Sequence, residues 1–172
     1  IEIGFEDVEL DREVRVGESI VSQGITLTGE PFQWSNGQFT ESGFARVEDE
    51  GSAGGSGQDV QVNNINLAFE LPGAYRAVIV RFGEFGGNVN LRVNGELRNV
   101  GGFPALDGEL LAGVRVTVLM DGDEPGAQHG RLRLEAETAP IRELAIGGQE
   151  LWIDDVVFRD PEGGSLPVAF LG

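Results

Sequence analysis

The segment Arg131-Leu132-Arg133-Leu134-Glu135-Ala136-Glu137 alternates strictly between charge and hydrocarbon. Side chains of an extended chain point to opposite faces with a period of two, so such a segment buries one face only as a β-strand. The same period recurs from end to end, and no stripe at helical spacing interrupts it. Strands are predicted at residues 1–5, 19–28, 38–47, 59–71, 74–82, 88–93, 96–100, 113–120, 131–137, 141–146 and 150–158, with helix confined to short turns near 104–111. About eleven strands, separated by Gly, Asn, Asp and Pro, predict an all-β fold, a sandwich or barrel, with a jelly-roll-type antiparallel β-sandwich as the leading expectation.

Turn chemistry fixes some of the connections. Asn94-Gly95 lies between two alternating segments, and a two-residue type I′ turn needs positive φ at both central positions, which Asn and Gly tolerate best. Asn36-Gly37 predicts a second turn of this kind. The run Gly51-Ser52-Ala53-Gly54-Gly55-Ser56-Gly57 reads as a flexible loop within the sandwich, and no Lys or helix follows that would make it a phosphate cradle. A chain of 172 residues, 40% of them hydrophobic, fits one domain with one core. Residues 1–160 are assigned to the sandwich, and residues 161–172 to a polar connector with an apolar tail.

Charge narrows the partners. Acidic residues number 29 against 12 Lys and Arg, giving a formal net charge of -17, and every one of the 12 is Arg. Such a surface repels nucleic acids and anionic membranes. No apolar run approaches the roughly 20 residues of a membrane span. Excess carboxylate suits a saline or calcium-rich medium, while a GC-rich genome is the other reading of Arg without Lys. An extracellular or cell-surface location is expected from this charge and from a first residue that is not Met, as removal of a signal segment would leave. With no cysteine there is neither a disulfide framework nor a thiol nucleophile.

A catalytic apparatus is not recognisable. His129, the single histidine, is read as part of an exposed hairpin loop, apart from the Ser that a nucleophilic triad needs. That loop begins Asp121-Gly122-Asp123-Glu124, yet the bidentate Glu of an EF-hand would fall at Leu132. A glycosidase uses two carboxylates, but acidic residues are too numerous here for spacing to single out a pair. The chain is expected to be non-enzymatic.

The two ends carry the most informative combination. Phe5-Glu6-Asp7 closes the first strand, and Trp152-Ile153-Asp154-Asp155-Val156-Val157-Phe158 forms one of the last. With Asn63-Asn64-Ile65-Asn66-Leu67 and Ile146-Gly147-Gly148-Gln149, this resembles secreted bacterial jelly-roll domains of the carbohydrate-binding-module type, whose terminal strands run side by side. The resemblance implies a structural calcium ion, with Glu6, Asp7, Asp154 and Asp155 at the matching positions. A hard divalent ion favours such an all-oxygen set. Sugar binding calls for exposed aromatics flanked by polar groups. Trp34 beside Asn36 is the first candidate platform, with Tyr75 and Phe85 behind it.

The apolar tail after Ser165 suggests association. Leu166, Val168, Phe170 and Leu171, or the alternating Ile1, Ile3 and Phe5, would add as a strand to a neighbouring copy and give a homo-oligomer or polymer. The leading expectation is thus a structural or adhesive subunit of a surface or filamentous assembly. A carbohydrate-binding module with structural calcium is the alternative, and a glycan-active hydrolase the third reading.

Overall fold

A computed structural model describes residues 1–122 and 128–161. Among them are fourteen strands and one short 3-10 turn, Phe103–Leu106. The all-β expectation holds. Every strand pairing is antiparallel and all strands join one hydrogen-bonded network. No helix among the described residues is long and apolar enough to cross a membrane.

Two long strands organise the sandwich. Strand β9 (Tyr75–Val93, 19 residues) and strand β14 (Leu144–Pro161, 18 residues) pair along most of their length. Their outer halves, 75–84 and 151–161, belong to one layer with β11 (Leu110–Leu111), β12 (Val114–Met120) and β13 (Gln128–Ala136) on one side. On the other side lie β1 (Glu2–Ile3), β7 (Asp59–Asn63), β6 (Phe44–Glu48) and β2 (Glu13–Arg15). Their inner halves, 89–93 and 144–148, form the second layer with β10 (Glu96–Val100), β8 (Ile65–Phe69), β4 (Ile25–Gln33), β3 (Ser19–Ser22) and β5 (Phe39–Thr40).

Glycines let the chain pass from one layer to the other. Gly86 and Gly87 have φ of 151° and 71°, and the β9–β14 register is irregular beside Glu150. This passage is why residues 74–82 and 88–93, read as two strands, are one strand, as are 141–146 and 150–158. Alternation fills a single core: Val78, Val80 and Phe82 meet Leu132 and Leu134 in one layer, and Val89 and Leu91 meet Leu67 and Ile146 in the other.

The hairpin at Asn94-Gly95 is as the turn chemistry requires, with φ of 49° and 84°. At Asn36-Gly37 the expected type I′ turn is replaced by a longer one. Only Gly37 has positive φ, Gly37 N–H donates to Trp34 O (2.9 Å), and Trp34 N–H donates to Gln38 O (2.8 Å).

Candidate functional site

The site grows from a phase slip in β14. Leu151 and Ile153 point into the core, and so do Val156 and Phe158, so one residue is extra. The slip is a β-bulge between Asp154, opposite Arg81, and Val157, opposite Ile79. Asp155 takes the surplus position at φ 45°, and its N–H donates to Asp154 Oδ1 at 2.7 Å. The bulge places both carboxylates at the outer face of the layer, where β1 takes over from β7 as the neighbour of β14.

The glycine-rich loop packs on that face. Ala53, fully buried, donates its N–H to Asp59 Oδ2 (3.0 Å), and Gln58 N–H donates to Glu6 Oε1 (2.6 Å). The Gln58 side chain reaches Phe5 O and Val8 O, tying the loop to the end of β1. Two glycines permit the approach. A methyl group on Gly55 would lie 2.8 Å from Asp154 Oδ2 and 3.1 Å from Asp155 Oδ2, and one on Gly57, at φ 74°, would collide with the Glu6 carboxylate.

Four carboxylates therefore gather under and beside one loop: Glu6, Asp59, Asp154 and Asp155. Burial pushes the Asp154 carboxyl up to about 7; the Asp155 N–H opposes this, while the charges of Asp155, Asp59 and Glu6 add to it. Burial likewise pushes Asp59 up to about 6, opposed by the Ala53 N–H and reinforced by Glu48 and Glu50. Asp59 Oδ1 is buried with no hydrogen-bond partner. An unpartnered buried oxygen on Asp59, an all-oxygen donor set and glycines packed against Asp154, Asp155 and Glu6 fit a hard divalent cation. Among the described residues no three acidic or histidine side chains converge closely enough to hold an ion alone. A cation here would draw on loop carbonyl oxygens as well as Asp59, Asp154, Asp155 and Glu6.

On one side of the loop lies an aromatic trio. Phe85, 39% exposed, stands edge-on to Trp152 (4.8 Å between centroids) and to His129 (5.7 Å). Trp152 Nε1–H donates to Glu48 Oε2 (3.0 Å), and His129 Nε2 lies 3.0 Å from Ser52 O. His129 sits on β13 opposite Gly83 rather than in an exposed loop. On the other side of the loop, Arg81 pairs with Asp155 (3.4 Å) and Asp121 (3.8 Å) at one end of an open groove.

The other expected residues are placed differently. Asp7 leaves the calcium set: it accepts from Ser22 Oγ (2.6 Å) and Gln23 N–H (2.8 Å), which hold its carboxyl below the usual range. Tyr75 is no platform, being 5% exposed with its ring 5.3 Å from Phe158 in the core. Trp34 is half-buried, edge-on to Phe32, and Asn36 spends its Oδ1 on Gln38 N–H within the turn. Ile3 and Phe5 are fully buried in the chain's own core through pairing of β1 with β14, so the contact expected for them with a neighbour is made intramolecularly. Ile1 is 47% exposed and exchanges backbone hydrogen bonds with Phe158. Leu166, Val168, Phe170 and Leu171 lie outside the described residues.

Asp59 and Arg81 escaped the sequence reading. The signal for Asp59 is an acid opening a strand two positions after a glycine-rich run, a place from which a carboxylate can cap the loop's own N–H groups. Asp59 and Asp154, whose raised proton affinity would suit acid–base work, are 0% and 1% exposed and so are closed to a substrate. Compared with protein-family models, with curated proteins and with solved structures, the chain matches none.

Proposed function

We propose that this chain is a non-catalytic, extracellular carbohydrate-binding module, with a calcium ion fixing the 51–58 loop on its ligand face. That face is the outer surface of β12, β13, β9 and β14. One observation carries the reading: the loop lies over buried, mutually repelling carboxylates with an unpartnered oxygen, between an exposed aromatic and an open groove. A cation there would neutralise the cluster and hold the loop without further change of fold. Phe85 and Trp152 offer hydrocarbon to a sugar ring, and Glu48 a hydrogen-bond acceptor beside it. An assembly subunit ranks below this because β1 is used within the chain and the edge strands β2, β3, β10 and β11 are only two to five residues long.

Calcium titration and a glycan array test the two halves. Saturating calcium at pH 7.5 is expected to raise Tm by several degrees over the chelated protein, the linkage expected of a ligand at about 100 times its Kd. The Asp59→Asn variant should lose most of that rise. Calcium-loaded protein should bind at least one saccharide, about fivefold more weakly in Phe85→Ala, equivalent to about 1 kcal/mol of ring contact. An unchanged Tm removes the ion, and an array without a single bound glycan removes the module.

A further inference from the structure

The chain is strongly acidic, yet its outer face gathers four of its 12 arginines around one groove of about 280 Å³: Arg81, Arg131, Arg133 and Arg159. Asp155 is the single carboxylate of the lining, and Ile79, Leu119 and Val157 supply hydrocarbon. Strand register explains the crowding. Arg131 stands directly opposite Arg81, and Arg133, two residues on, faces the same way opposite Ile79. Like charges placed opposite each other on a sheet repel, so this pairing does not serve the fold. Arg81 is engaged by Asp155 and Asp121, and Arg133 by Glu135. Arg131 and Arg159 are exposed and have no carboxylate partner among the described residues.

We infer that this groove binds a carboxylate-bearing sugar, a uronate unit of an acidic glycan, its carboxylate met by the guanidinium groups that ring the groove and its ring over Ile79 and Val157. The inference rests on the carbohydrate-binding reading and names its ligand class. Guanidinium groups present paired N–H donors that match a carboxylate. The apolar floor suits the C–H face of a pyranose, and the volume falls just under the roughly 300–1,000 Å³ of small-molecule sites. Charge complementarity selects an anion locally even though the whole surface is negative, because a Debye length of about 8 Å at physiological salt screens the distant carboxylates. A single uronate unit meets that local field.

The test is calorimetry of the calcium-loaded protein with trigalacturonate, with its fully methyl-esterified form and with triglutamate as probes. Binding of trigalacturonate is expected, at least tenfold tighter than the methyl ester and weakening from 50 to 500 mM NaCl. The double Arg131→Ala, Arg159→Ala variant should lose tenfold or more while keeping its Tm, since both side chains are exposed and neither pairs with a carboxylate among the described residues. Equal affinity for the ester overturns the inference, as does undiminished binding by the variant. Triglutamate binding as well as trigalacturonate overturns the saccharide assignment. Binding of neutral glycans that is sensitive to Phe85→Ala, with none of trigalacturonate, overturns the groove and leaves the module standing.

Discussion

Each layer of the sandwich has a segment folded across its outer face, and the two are held by opposite kinds of chemistry. On the second layer, the end of β4 curls over Asn90 and Asn66. Gln33 N–H donates to Asn90 Oδ1 (2.8 Å), Asn90 Nδ2–H to Gln33 O (3.0 Å), and Asn66 Nδ2–H to Pro31 O (3.0 Å) and to Asn90 Oδ1 (3.1 Å). A side-chain amide carries donor and acceptor together, so these neutral groups largely satisfy one another. On the first layer, loop 51–58 is tied by the Gln58 amide to the end of β1 but otherwise rests on carboxylates, which only accept. Backbone N–H groups of Ala53, Gln58 and Asp155 meet some of the oxygens, and the negative charge is left to accumulate. The amide-held crossing is neutral and leaves only one buried oxygen, Asn66 Oδ1, without a partner among these groups, whereas the carboxylate-held one accumulates charge and depends on protons or a cation.

The largest effect should come from breaking the amide set. Asn90→Ala leaves the half-buried N–H and C=O of Gln33 and one buried Asn66 donor without a partner. At roughly 1–3 kcal/mol for each stranded group, the loss should be about 3 kcal/mol or more and lower Tm by roughly 6–12 °C. Denaturant unfolding should give the same loss with calcium or chelator, at pH 5 or pH 8. A loss that varied with calcium would erase the distinction between the two faces.

The carboxylate side should answer to pH instead. Asp59 and Asp154 have proton affinities raised by folding, so the folded chain binds more protons than the unfolded one between about pH 4 and pH 7. Their contribution is therefore fully present below the unfolded value near 4 and is lost as pH rises through about 6 to 7. In chelator, unfolding free energy should fall by a few kcal/mol from pH 5 to pH 8. Calcium should restore most of it at pH 8, and Asp59→Asn should flatten the slope. A chelated protein that gains stability over that range would show that the cluster is already neutralised by other means.

Much of this contrast could be read from the chain, and what could not has a physical reason. Alternation located most strands because each buries one face, and the step of three from Ile153 to Val156 encodes the bulge that sets Asp154 and Asp155 side by side. The pairing of the ends, with Glu6 near Asp154, followed from the resemblance to jelly-roll domains rather than from alternation. Asp7 was misassigned because adjacent residues at a strand end can turn to different partners, here Ser22 and Gln23. Tyr75 was misread because an aromatic at a strand start carries no mark of which face it takes. The groove was hidden because Arg81 and Arg131 are 50 positions apart, and only the β9–β13 register puts them opposite each other. The short strands β2 and β11 are defined by their neighbours rather than by a pattern of their own.

The smallest effect sharpens the comparison by removing the cation from it. Glu84, 6% exposed beneath the 3-10 turn, is pushed up to about 7 by burial, with the Phe103 N–H (2.9 Å to Oε1) opposing. It is not among the charges that act on Asp154, so it is a buried carboxylate of similar proton affinity outside the loop cluster. Gln in its place keeps an oxygen for the Phe103 N–H and removes the cost of ionising a buried group. Glu84→Gln should therefore raise stability at pH 8 by about 1 kcal/mol, do nothing or slightly harm it at pH 5, and behave identically in calcium and chelator. If calcium changed the effect of Glu84→Gln, the ion would be sensing buried carboxylates throughout the layer rather than the four gathered at the loop.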